Sequence, residues 1–183
     1  MGGIRLKNTK VINLFGSPGA GKTTLAADIF VEMKRRGVSC ELVTEFAKKA
    51  VWEKRGKALE NEILLFAQKH HELFVLDGQV DYIIIDSPLL LTTIYNQIDG
   101  KVPNLNSLAK SEFNNYNNIN IFLKNNSSPF EKEGRIHEGE IIVTINKMLT
   151  DLYYQISSFD TLFTTAGVNT KELVDDILGG NYK

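Results

Sequence analysis

Hydrophobic positions along the chain fall into two alternating patterns. Short runs with apolar residues on both faces recur at Lys10–Phe15, Ser39–Thr44, Asp81–Asp86, Ile119–Leu123 and Asp160–Thr165. Such runs, β-branched and a few residues long, predict strands buried between two layers. Between them, apolar residues recur every three or four positions, which predicts helices over Thr24–Arg36, Ala58–Leu76, Leu89–Gln97, Leu105–Tyr116, Glu138–Ile156 and Thr170–Leu178. A shorter helix is expected over Phe46–Lys54, interrupted at Gly56. On the Ala58–Leu76 helix, Leu59, Ile63, Phe66, His70, Leu73 and Phe74 share one side and are expected to face the core. Gly37, Asp77-Gly78, Asp99-Gly100 and Ala166-Gly167 supply stops and turns. Strands alternating with helices imply right-handed crossovers and a parallel sheet covered on both sides, an α/β fold.

Composition narrows the class. At 183 residues and 43% hydrophobic, the chain suits a single domain spanning 1–183. Its net charge is −1, and the 21 basic and 22 acidic residues are mixed. No basic block marks a duplex-binding face, which counts against nucleic acid as partner and leaves only a short single-stranded end in play. Cys40 is the only cysteine, so there is neither a disulfide framework nor a cysteine zinc site, and a reducing compartment is expected. With no leader and no apolar run of 18 residues, a soluble, cytoplasmic protein is expected. Asparagine is dense between Asn104 and Asn126, yet the hydrophobic spacing persists through it.

The chemistry begins at Gly16-Ser17-Pro18-Gly19-Ala20-Gly21-Lys22-Thr23-Thr24. This spacing fits the phosphate-binding P-loop, and a strand before it with a helix after it is the context that loop requires. Glycines let backbone N–H groups turn inward around phosphate oxygens, and the helix N-terminus adds positive potential. Lys22 is expected to bridge the β- and γ-phosphates, and Thr23 to ligate Mg²⁺. The expected ligands are therefore ATP and Mg²⁺.

Ligands of an open parallel sheet sit at the carboxyl ends of its strands. Asp86, ending Ile83-Ile84-Ile85-Asp86, stands where a carboxylate can hold Mg²⁺ opposite Thr23; it can also cap a following helix. Glu45 follows the second strand and either orients an acceptor hydroxyl or serves as an early-turn acid of the next helix. Arg135, in a polar segment with Pro129 and Gly134 that reads as a mobile loop, either closes over a migrating phosphoryl group or is a solvated arginine. Lys124 and Lys132 are weaker candidates for that charge. His70 is expected to be packed, His71 solvent-facing and His137 incidental. Trp52, Phe46 and Phe66 read as core, with an aromatic acceptor pocket as the alternative. Ala166-Gly167-Val168-Asn169 is placed to pass an adenine edge.

These segments resemble the ribosylnicotinamide-kinase-like P-loop proteins, a group in the nucleoside and nucleotide kinase branch that includes many phage ATP-binding proteins. The resemblance runs through most of the chain. It rests on GSPGAGKTTLA at 16–26, on Val43-Thr44-Glu45-Phe46-Ala47-Lys48-Lys49, and on Phe66-Ala67-Gln68. Ile85-Asp86-Ser87-Pro88, with Thr92 and Tyr95 beyond it, and Glu133-Gly134-Arg135 complete it. It implies a five-stranded parallel sheet in the order 2-3-1-4-5, with a lid-like loop at about 124–137. Glu45 and Asp86 would line the acceptor and metal site, and Arg135 would meet the phosphates. Lys48 stands where that group has arginine, and Arg135 follows Gly134 directly, without the spacer residue the lid often carries.

The reading that follows is an ATP-dependent phosphotransferase acting on a nucleoside or nucleotide, with Lys22, Glu45, Asp86 and Arg135 at the reacting centre. Two alternatives stay open: a kinase of a nucleotide in DNA or at a DNA end, and an NTP-hydrolysing switch acting on a protein partner. A homodimer is compatible with each.

Overall fold

The computed structural model describes residues 7–44, 50–100, 102–124, 140–156, 160–165 and 167–181. Five strands form one sheet: β1 (Lys10–Phe15), β2 (Cys40–Val43), β3 (Tyr82–Ile85), β4 (Asn117–Lys124) and β5 (Thr161–Thr165). All pairings are parallel and the order is β2-β3-β1-β4-β5, as expected. β1 lies at the centre, with Ile12 against Ile84 of β3 and Ile119 of β4, because its residues are apolar on both faces.

Helices cover both faces. α1 (Lys22–Arg35) and α7 (Thr170–Gly179) pack on one side, where Leu25, Ile29, Met33, Val174 and Ile177 meet Ile12, Leu14, Ile84, Ile119 and Ile121. The other side carries α3 (Glu62–Leu76), α4 (Leu91–Tyr95), α5 (Leu105–Asn114) and α6 (Glu140–Ile156). There Phe66, Leu73, Ile94, Phe113 and Leu149 meet Val11, Phe15, Ile83, Ile85 and Phe122. Phe15 and Phe122 stack at 4.7 Å between ring centres. Gly37, at φ 75°, turns the chain out of α1 into β2, a left-handed conformation that favours glycine.

Three expectations change. The helix expected over Ala58–Leu76 is two: a short α2 (Gly56–Leu59) and α3. The break is at Glu60-Asn61, because the Asn61 side chain accepts the Leu64 N–H at 3.0 Å and starts a new helix. The buried stripe of α3 is also offset. Glu62, Leu65, Phe66, Lys69 and Leu73 face inward, while Ile63 and Phe74 are 56% and 67% exposed. The segment after β3 makes a turn at Pro88–Leu90, then α4, then a π-helical turn over Asn96–Gly100 instead of an even helix to Gln97. The expected helix over Phe46–Lys54 is described from residue 50 on, where the backbone is helical through residue 52.

Candidate functional site: the carboxyl ends of β1 and β3

β1 runs directly into the glycine loop, and the loop's shape follows from its glycines. Gly19 and Gly21 sit at φ 86° and 88°, a left-handed region costly for residues with a Cβ. Gly16 makes a close approach: a Cβ there would lie 3.1 Å from the Ala20 Cβ and 3.3 Å from the Leu123 Cβ, so the loop rests on the end of β4. Gly21 caps α1 without any side chain, and the first turn, Lys22-Thr23-Thr24, contains no acid. The N–H groups of this turn and the helix dipole therefore keep their positive potential for an anion.

Lys22 folds back over the loop, its Nζ donating to the carbonyls of Gly16 at 2.8 Å and Ser17 at 3.1 Å. Since β3 is the neighbour of β1 in the sheet, Asp86 arrives beside the same loop. Thr23 Oγ1 donates to Asp86 Oδ2 at 2.8 Å. Asp86 is 2% exposed, and it does not cap α4, whose N-cap is Leu90. A hydroxyl and a carboxylate oxygen in contact are hard donors of the kind Mg²⁺ takes, together with phosphate oxygens. The pair fits that ion. Among the described residues there is no group of three or more His, Cys, Asp or Glu for a metal held by protein alone.

The other expected residues divide. Glu45, Phe46, Lys132, Arg135 and His137 lie outside the described residues, as does most of the loop at 124–137. His71 is exposed, and His70 is half-buried between the rings of Phe66 and Phe74, with Nε2 3.1 Å from Glu112 Oε2. Phe66 is core, whereas Trp52 is 62% exposed. Asn169 caps α7, its side chain accepting from Lys171 N–H at 3.2 Å.

The sequence reading passed over two features. Glu62 and Lys69 are buried at 6% and 7% exposure on α3. Asn13 and Asn120, 1% and 0% exposed, form a polar layer in the middle of the sheet. Asn13 Nδ2 donates to the Asn118 and Asn120 side-chain oxygens at 2.9 and 3.2 Å. The signal for the asparagines was present, since Asn13 interrupts an apolar run and Asn118 and Asn120 alternate with apolar residues in β4.

A family model described as an AAA domain matches residues 11–158, from β1 to the end of α6. The chain belongs to the AAA domain family. Solved structures share this fold. A deoxyadenosine kinase from M. mycoides superposes with a TM-score of 0.57 at 20% identity, over 93% of this chain and 98% of that one. The APS kinase CysC of Mycobacterium tuberculosis, in complex with AMPPNP and APS, gives 0.50 at 9% identity, over 94% and 97%. In sequence, this AAA domain chain is similar to protein RecA of Wolbachia sp. subsp. Drosophila simulans, 30% identical over 95 residues, which is 48% of this chain and 27% of that protein. It spans about a quarter to a third of the length of the curated relatives it matches. Among the described residues no helix is long and apolar enough to cross a membrane.

Proposed function

We propose that this chain is an ATP-dependent phosphotransferase whose acceptor is a nucleoside or nucleotide. The observation that carries the reading is the junction of Lys22, Thr23 and Asp86: a cation folded over the loop carbonyls, and a hydroxyl bonded to a buried carboxylate 2.8 Å away. That arrangement supplies what phosphoryl transfer asks of a protein, which is positioning and charge rather than covalent chemistry. The shared fold of the M. mycoides deoxyadenosine kinase, one of whose structures has bound dATP, supports it by analogy.

In this proposal the loop amides and Lys22 hold the β- and γ-phosphates, and Thr23 and Asp86 hold Mg²⁺. When bound, the ion neutralises charge on the phosphate oxygens. Glu45 orients the acceptor hydroxyl, and Arg135 comes over the transferred group. Both roles are assigned on sequence alone, as are the ribosylnicotinamide-kinase-like grouping, a single domain over 1–183 and a cytoplasmic setting. The test is ADP release from Mg-ATP across nucleosides, nucleoside monophosphates, nicotinamide riboside and DNA oligonucleotides, beside an acceptor-free control. A rate that jumps with a nucleoside or nucleotide supports the proposal and names the class, whereas a jump confined to an oligonucleotide favours a kinase acting on DNA instead. A slow rate indifferent to every acceptor overturns it in favour of an NTP-hydrolysing switch.

A further inference from the structure

Among the described residues the hydroxyls of Ser17, Ser87 and Thr92 are buried with no hydrogen-bond partner. Native interiors leave few such groups, and each calls for an explanation such as a bound ligand or water. Ser17 belongs to the glycine loop. Ser87 and Thr92 do not: Ser87 follows Asp86, Thr92 lies in α4, and they are 2% and 1% exposed.

Thr93 supplies an internal control. Its Oγ1 donates to the Leu90 carbonyl at 2.7 Å, satisfying itself within its own turn. Thr92, one residue earlier in the same turn, makes no such bond, so its hydroxyl is kept for something else.

The location narrows what that is. α4 packs on the face of the sheet that α3 also covers, away from α1. α3 runs back along the strands. Its far end meets the start of β1, where the Gly78 N–H donates to Thr9 Oγ1 at 2.8 Å. Its first turns, with Glu62 and Phe66, therefore lie toward the carboxyl ends, on the flank of Asp86 opposite the glycine loop. Glu62 and Lys69 are buried along this helix and carry opposite charges. Hydroxyls both donate and accept, which matches an uncharged edge of carbonyl and N–H groups.

We propose that Ser87 and Thr92 are the acceptor-recognition pair, binding the polar edge of a nucleobase while the acceptor's reacting end points at the glycine loop. This rests on the phosphotransferase reading for the word acceptor, and on the buried hydroxyls for the site. The turn that follows α4 is π-helical, a form of backbone that recurs at functional sites.

The experiment uses the full chain. Nucleosides and deoxynucleosides of the common bases are titrated calorimetrically in the presence of Mg-ADP, on the wild type and on T92V, S87A and T93V, and each variant is melted. The wild type is expected to bind at least one nucleoside. T92V and S87A should each weaken that binding about tenfold, the worth of one hydrogen bond, with ADP affinity unchanged. Their midpoints should hold or rise, because an unpartnered buried hydroxyl is removed, whereas T93V should melt lower and bind the nucleoside normally. No nucleoside binding by the wild type, equal binding by T92V and S87A, or a lowered midpoint in both would overturn the pair. The two readings fail separately. A nucleoside bound through Ser87 and Thr92 but never phosphorylated sinks the kinase and keeps the pair. A phosphorylated nucleoside whose KM ignores both substitutions does the reverse.

Discussion

On the α1–α7 side of the sheet, Ile12, Leu14, Ile84, Ile119 and Ile121 meet Leu25, Ile29, Met33, Val174 and Ile177, with the buried Thr164, opposite Leu123 on the edge strand β5, as a polar side chain at the margin. On the other side the same strands present Asn13 and Asn120 beside Phe15 and Phe122, and the covering elements bury Glu62, Lys69, Ser87 and Thr92. One sheet therefore has a face that is apolar through its centre and a face where polar groups are kept inside at its centre. Burying a polar group costs free energy unless it is bonded, so the second face is the one whose design is explained by something besides stability. The candidate site lies at the seam, with Thr23 reaching from α1 and Asp86 from β3.

The largest effect should come at that seam. Lys22→Ala removes the cation folded over the loop while leaving both apolar clusters intact. ADP release with any acceptor should fall below detection, and the melting midpoint should stay close to that of the wild type. Near-normal turnover would show that the loop does not position a triphosphate. A collapsed midpoint would show that site and scaffold are not separable as the two faces suggest.

Next in size is the apolar face itself. Ile84 is fully buried between Ile12 and the α1 side chains. Truncation to alanine should cost about 2–5 kcal/mol in urea unfolding, the range for a large aliphatic side chain in a close-packed core. Nucleotide affinity per folded molecule should be unchanged. A loss under about 1 kcal/mol would mean that this face repacks, and the contrast would weaken.

The polar face gives a sharper test. Asn13→Ala strands the side-chain oxygens of Asn118 and Asn120, and leaving buried groups unmet costs about 1–3 kcal/mol. The double variant Asn13→Leu, Asn120→Leu removes both partners. It should recover much of the loss, because no unmet amide remains at position 120 and Asn118, whose oxygen still lacks the Asn13 donor, is only half-buried. Recovery would show that the asparagine layer is not needed for stability. Additive losses would make it structural.

The same contrast explains what could be read from the chain. β1 begins and ends at Lys10 and Phe15 as expected, since a buried central strand is marked by its own residues and by the loop that follows. The 2-3-1-4-5 order was legible through the family resemblance, and the placing of Asp86 opposite Thr23 through the strand that ends at Asp86. α3 was not. Its inward stripe contains Glu62 and Lys69, and hydrophobic spacing assigns charged residues to the outside, so Ile63 and Phe74 were placed inward instead. Whether a hydroxyl such as that of Thr92 or of Thr93 finds a partner depends on one turn of backbone and its neighbours. No spacing rule reaches that level.

The smallest effect lies at the edge of the apolar face. Cys40 opens β2, is fully buried, and packs in the α1–α7 cluster. Burial pushes its thiol above the usual range, opposed by Lys34 and aided by Glu41. The folded chain thus holds this proton more tightly than the unfolded chain. Its contribution to stability is whole below the ordinary thiol pKa of about 8.5 and is lost as pH rises through the higher folded value. Native protein at pH 8 should therefore react slowly with a disulfide reagent that reads thiolate, and release one equivalent of thiol on unfolding in guanidinium. A fast, stoichiometric reaction of the native chain would mean that β2 opens from the sheet on its own. The α1–α7 face would then be loose at the strand that leads toward Glu45.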